Sequence, residues 1–299
     1  MAKKPYDGPS GFAVVDKEVG WTSHDVVAKA RGVFGTRKVG HSGTLDPGAT
    51  GVLVLGIGRG TRLLRFITDL EKTYVAEAVL GVETDSLDAD GTVTFNHDMS
   101  GVTVDDVQRV ATQFVGDIEQ IPPMVSAIKI DGKRLHQLAR EGTTVERKPR
   151  PVTVHELTVD PSFVETTPGE PHVFRFTTRC GSGTYIRTIG ADIGAALGGG
   201  AHLRYLRRTA IGRHTQDHAA QVEGATIISL ADGLADYPSV TLDDDTVKRV
   251  RNGQRLSQNM LTGDGPWVLL DSAGALVAVH ERVESGKIKP AVVIPEEPG

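Results

Sequence analysis

Residues 51–58, GVLVLGIG, carry no polar side chain, and a continuous apolar run of this length reads as a strand that must be buried. The residues just before it, GHSGTLDPGAT (40–50), are mostly Gly, Ser, Thr or Pro and include one carboxylate, Asp46. A chain that puts such a loop against such a strand has to build a core around the strand while leaving the loop at the surface. This demand limits the possible folds more than any other stretch of the sequence does.

The flanking segments supply the core. Residues 11–17 (GFAVVDK) read as a short strand. Thr22 and Ser23 can cap a helix whose apolar positions include Val26, Val27, Ala30 and Phe34, and Gly35 ends it. An amphipathic helix is expected over 59–70 and a strand over 72–81, with further helices at 103–115, 131–141 and 184–197. At 151–160 and 172–180 apolar residues recur at period two, as strands require. Strands and helices mix without regular alternation, which favours an α+β domain with a mixed, largely antiparallel sheet over a doubly wound parallel one. Pattern fades around 231–238. A helix at 243–253 and strands near 266–270, 275–281 and 290–294 then suggest a small second module, giving expected domains of 1–237 and 238–299. No internal repeat of solenoid type is present.

The 299 residues carry a net charge of −5, which taken alone argues against a nucleic-acid partner, but the charges are segregated. Residues 1–68 hold ten Lys/Arg against five Asp/Glu, 129–151 seven against three and 175–214 seven against one, whereas 69–120 hold two against twelve. Such blocks can form a basic face that follows phosphates, or they can be solvated faces with no partner. No apolar run approaches the ~20 residues that span a bilayer. The start, MAKKPYDGPSG, has no apolar stretch behind its lysines and does not read as a secretory signal, so a cytoplasmic location and no membrane role are expected. The single cysteine, Cys180, excludes an internal disulfide and a multi-cysteine zinc site, and reads as a small core residue.

Several chemistries fail on spacing. The 35–42 segment has the outline of a phosphate-binding loop, but His41 stands where lysine is required. Gly56, Gly58 and Gly60 miss the dinucleotide fingerprint by one residue. Neither Ser42 nor Ser182 lies in a G-x-S-x-G elbow, and one cysteine cannot make a zinc deaminase. What remains is the 40–56 loop. It has little side-chain bulk, Pro47 fixes its backbone, and its glycines permit close approach, so it can hold Asp46 at the floor of a cleft with room for a nucleotide. An ordinary Asp-Pro-Gly turn fits the same residues, and spacing alone does not choose.

The run GHSGTLDPGATGVL resembles the catalytic motif of the TruB family of tRNA pseudouridine synthases. The likeness continues in order. KTYVAEAVLGVETDSLDADG (72–91) is similar to the family's second motif and PPMVSAIKIDGKRLHQLAREG (122–142) to its RNA-contacting insertion, about 122–150. CGSGTYIRTIGADIG (180–194) with GGGAHLRYLRR (198–208) is similar to the third motif, and the C-terminal 60 or so residues resemble a reduced PUA-like module. Val125 and His136 stand where an aromatic is common in the insertion. The resemblance implies a pseudouridine synthase fold that isomerises a flipped-out uridine in the T-loop of tRNA without cofactor or metal, as a monomer. It implies that Asp46 is the catalytic carboxylate, that Tyr74 lies against the target uracil and that Arg187 pairs with Asp46. Tyr185 and Leu206 would line the uracil pocket, His41 would occupy the stack vacated by the flipped base, and Lys17 would brace the loop. A non-catalytic RNA-binding or chaperone protein, and a guide-RNA-dependent synthase, are the alternative readings.

Overall fold

The computed structural model describes residues 6–126, 129–130, 133–134, 145–165, 169–254, 256, 260–282 and 288–296. The helix expected at 131–141, with His136, lies outside them. The chain forms two compact units, one made of Met1–Pro47, Gly51–Asp69 and Ile211–Gly299, the other of Gly48–Thr50 and Leu70–Ala210.

In the first unit the apolar strand Thr50–Ile57 pairs antiparallel with Gly11–Lys17, in the register Val14↔Val54 and Lys17↔Gly51, and with Val39–His41. The helix Ser23–Val33 buries Val26, Val27 and Ala30 against Val15, Val39, Leu53 and Leu55. It starts where the sequence predicts: the Thr22 hydroxyl accepts from the Asp25 amide and the Asp25 carboxylate accepts from the Thr22 amide, which satisfies two of the donors that a helix start leaves open. The helix expected over 59–70 is instead a 3-10 turn, Gly58–Arg62, followed by a short α-helix, Leu64–Asp69. The reason is steric. A Cβ at Gly60 would meet the Gly11 carbonyl oxygen at 2.1 Å, and Gly58 adopts φ +56°, so the chain is pinned tightly against its neighbours before it can coil regularly.

The C-terminal residues of the same unit build a four-stranded sheet in the order Ser239–Thr241, Trp267–Leu270, Leu276–Arg282, Ile288–Val293. The helix Asp244–Arg251 covers it, and Trp267, Leu269, Val277, Val247 and Val250 form its apolar core. Arg59 and Arg62 donate to the carbonyls of Pro295 and Val293, and Arg65 pairs with Glu281 at 2.8 Å.

In the second unit five strands lie in the order Ala201–Ile211, Lys72–Leu80, Val173–Cys180, Arg150–Glu165, Gly116–Gln120. The three pairings from Lys72–Leu80 through to Gly116–Gln120 are antiparallel, as expected for an α+β sheet. The strands Ala201–Ile211 and Gly116–Gln120 were not read from the sequence. The helix Ile186–Ala196 packs closely on the sheet through Gly190, where a Cβ would meet Leu203 at 2.7 Å and Ala78 at 3.6 Å. The helix expected at 103–115 is Val104–Ala111 with a 3-10 turn after it, started by a Thr103–Asp106 capping box.

Candidate active site

The seven positions singled out in the sequence divide between the units: Lys17, His41 and Asp46 in the first, Tyr74, Tyr185, Arg187 and Leu206 in the second. Asp46 is half-buried, and its neighbours on both sides are tied down within the first unit. Before it, the Leu45 amide donates to Ser23 Oγ at 2.9 Å and Ser23 Oγ returns a bond to the Leu45 carbonyl at 3.3 Å. After it, the Pro47 carbonyl accepts from the Gly20 amide at 2.8 Å and from Lys17 Nζ at 3.2 Å. Lys17 is fully buried, and its ammonium also donates to the carbonyls of Trp21, at 2.6 Å, and Glu18, at 2.9 Å. A buried lysine whose protons meet carbonyl oxygens acts as a clamp on the main chain rather than as a surface charge. His41 is half-buried in the same loop. Its Nδ1 accepts from the Gly43 amide at 3.3 Å, which puts the proton of the neutral ring on Nε2, and its ring meets His24 edge-on at 5.4 Å.

In the second unit Tyr74 is buried on the strand Lys72–Leu80, opposite Thr178. Tyr185 is the N-cap residue of the helix Ile186–Ala196 and makes no side-chain cap of its own. Arg187 lies in the first turn of that helix, where the partial positive charge of the helix end opposes a cation. The surroundings offset this: Arg187 donates to Asp88 Oδ2 at 2.8 Å, to the Ser86 carbonyl at 2.9 Å and to the Val125 carbonyl at 2.7 Å. Leu206 is half-buried on the strand Ala201–Ile211. Among the described residues no three His, Cys, Asp or Glu side chains converge as metal ligands, and no helix is long and apolar enough to cross a membrane.

The TruB family pseudouridylate synthase N-terminal domain matches residues 31–186. The chain belongs to the TruB family. The tRNA pseudouridine synthase B of Shouchella clausii is 39% identical over 297 residues, covering 94% of this chain and 97% of that protein. Those of Thermobifida fusca and Symbiobacterium thermophilum are 42% identical over 95% of this chain and 98% of the relative, and 45% identical over 79% and 80%. Among solved structures, a chain from a Cbf5–Nop10–Gar1 complex superposes with a TM-score of 0.71 at 24% identity, covering 96% of this chain and 85% of that one. A chain from an H/ACA RNP bound to a substrate RNA containing 2′-deoxyuridine gives 0.68 at 22% identity, over 96% and 86%. These two likenesses identify the fold. The family identifies the activity: this chain is an isomerase that converts uridine to pseudouridine.

Three residues that place this synthase's candidate groups were not read in that role from the sequence: Ser23, expected only as a helix cap, beside Leu45; Asp88, a fallback carboxylate there, beside Arg187; and Gln120, whose side-chain amide bonds both the amide and the carbonyl of Tyr185. The charge blocks also take on a different meaning. Arg175 and Arg204 both bond the buried Glu77, Arg179 pairs with Glu71 and Glu156, and Arg187 pairs with Asp88. The acidic block therefore neutralises four arginines of the 175–214 block inside the second unit, and the count of cations there overstates the basic character of its surface. Two further groups are shifted by burial. The Cys180 thiol is pushed up to about 11, in keeping with an inert core residue, and the Asp192 carboxyl, on the same helix as Arg187, is raised to about 6.

Proposed function

We propose that this synthase acts on transfer RNA, isomerising one uridine of the T-loop after that base has been flipped out of its stack, with Asp46 as the catalytic carboxylate. Relatives named as tRNA pseudouridine synthase B that align with nearly the whole chain support the substrate. One observation carries the site: both neighbours of Asp46 are anchored by hydrogen bonds, to Lys17 and Gly20 on one side and to buried Ser23 on the other. A carboxylate that acts in a transition state has to be placed before the reaction begins, and a loop tethered on both sides of it does so.

The reaction breaks the bond from ribose C1′ to N1 and makes one from C1′ to C5, while C5 gives up a proton and N1 gains one. It consumes no redox equivalent. A carboxylate can add to C1′, add to C6 or take the 2′ proton of ribose, and each route requires it within reach of the ribose–base linkage. Arg187 supplies the cation that keeps Asp46 ionised where burial alone would raise its pKa. Tyr74 offers the detached uracil a ring face, Tyr185 and Leu206 line the pocket in which it turns, and His41 fills the vacated stack. The insertion at 122–150 and the C-terminal module at 238–299 add contacts to the RNA that offset the cost of flipping, and the enzyme works as a monomer in the cytoplasm.

Purified protein incubated with unmodified tRNA transcript, without guide RNA, should yield pseudouridine on nucleoside chromatography. Asp46→Asn should stay folded and bind tRNA while losing at least about a thousandfold in rate, ~4 kcal/mol of barrier. A folded variant that keeps more than about a tenth of the wild-type rate removes Asp46 from its role.

A further inference from the structure

The chain leaves the second unit's sheet at Gln120 and returns to it at Arg150, and these two residues are paired across adjacent strands. The segment between them contains the insertion proposed to contact RNA. At this root Gln120 is 1% exposed, and its side chain turns toward the helix start rather than into its own strand pairing. Its Oε1 accepts from the Tyr185 amide at 2.9 Å and its Nε2 donates to the Tyr185 carbonyl at 3.2 Å. Tyrosine cannot cap a helix with its own side chain, so Tyr185, the N-cap residue, is fixed from outside. A primary amide is suited to this because it offers a donor and an acceptor side by side. Two more bonds tighten the same junction: Arg187 Nη2 donates to the Val125 carbonyl at 2.7 Å, and Arg147 Nη1 donates to the Pro122 carbonyl at 2.9 Å.

We infer that Gln120 is a positioning residue of the synthase, which fixes the backbone of Tyr185 and the start of the helix bearing Arg187, and ties both to the root of the RNA-contacting insertion. This rests on the roles proposed above for Tyr185 and Arg187. Gln120 touches no substrate; it acts through those two residues, so its loss should be felt in turnover rather than in affinity for RNA.

The test is Gln120→Glu, which keeps the shape and still accepts from the Tyr185 amide. When ionised it has no proton for the Tyr185 carbonyl and sets oxygen against oxygen. When protonated it restores the donor, and burial raises the pKa at which this happens. The kcat of Gln120→Glu on tRNA transcript should therefore fall at least about tenfold at neutral pH, with KM within about threefold of wild type. As the pH is lowered it should recover toward wild type through a titration that the wild type lacks. Gln120→Met, of similar length but without hydrogen bonds, should show the loss at every pH, and unfolding curves for both variants confirm that rates refer to folded protein. A Gln120→Glu to wild-type ratio of kcat that stays flat with pH, or a change confined to KM, overturns the inference while leaving the proposed activity standing. A wild-type protein that makes no pseudouridine overturns both.

Discussion

In the first unit Asp46 is placed by bonds that end on the main chain: Lys17 and Gly20 on the Pro47 carbonyl, Ser23 on both polar groups of Leu45. In the second unit Arg187 is placed by a charge, the carboxylate of Asp88, together with the carbonyls of Ser86 and Val125. The two arrangements should differ in how they fail. The Ser23 and Gly20 tethers are each one neutral bond among several, and losing one costs roughly the desolvation of the group left behind. A buried ion pair adds little net stability over an apolar replacement, yet removing one partner is expensive because the other charge stays in a dry site.

The largest effect is accordingly expected at Asp88. Asp88→Asn should destabilise the fold by about 3 kcal/mol in denaturant unfolding, since the Arg187 side chain it serves is only 6% exposed. A loss below about 1 kcal/mol would mean that the other partners of Arg187 hold the guanidinium without Asp88, and the contrast with the Asp46 loop would collapse. Asp192 sharpens the comparison, because it sits on the same helix and burial alone shifts it, from 3.8 to about 6. With the folded pKa raised, the folded state holds its proton to higher pH than the unfolded chain. The contribution to stability is therefore full below about pH 4 and declines as pH rises through about 6. Asp192→Asn should gain about 1.5 kcal/mol at neutral pH, a figure reduced for residual solvent contact, and nothing near pH 3.5. Unfolding curves at the two pH values read this directly, and equal gains at both would refute the assignment. The smallest effect is expected in the loop. Ser23→Ala should cost about 1 kcal/mol in thermal unfolding by leaving the Leu45 amide without its partner. A cost as large as that of Asp88→Asn would show that the loop, too, hangs on a single contact.

The same contrast explains what could be read from the sequence. The strands Gly11–Lys17, Thr50–Ile57, Lys72–Leu80 and Val173–Cys180 and the helices that begin after Thr22 and Thr103 carry local signals, namely apolar period and capping residues, and they lie where those signals put them. The strand Ala201–Ile211 hid its period because arginines occupy both of its faces, and Arg204 is paired there with Glu77 on the neighbouring strand. Gly116–Gln120 is short and holds two acids among its five residues, so nothing local marks it as a strand. Asp88 and Gln120 lie 99 and 65 residues from the positions they hold, and no spacing rule reaches that far. The break in the helix at 59–70 was hidden for the opposite reason. Its amphipathic period was real, but Gly58 takes a left-handed φ of +56° and Gly60 packs against the Gly11 carbonyl, which no periodicity reveals.

The pairing of Gln120 with Arg150 also bears on how this region can change over evolution. The 29 residues between them enter and leave through neighbouring positions on one sheet, so the span to be closed is the same whatever their number. The entropy of closing a loop grows only with the logarithm of its length, about 0.6 kcal/mol for each doubling. Segments can therefore be inserted or removed beyond this junction at small thermodynamic cost while the strands that carry it keep their register. The proposed RNA-contacting segment can thus drift in length while Gln120 and Arg150 keep their places on the sheet.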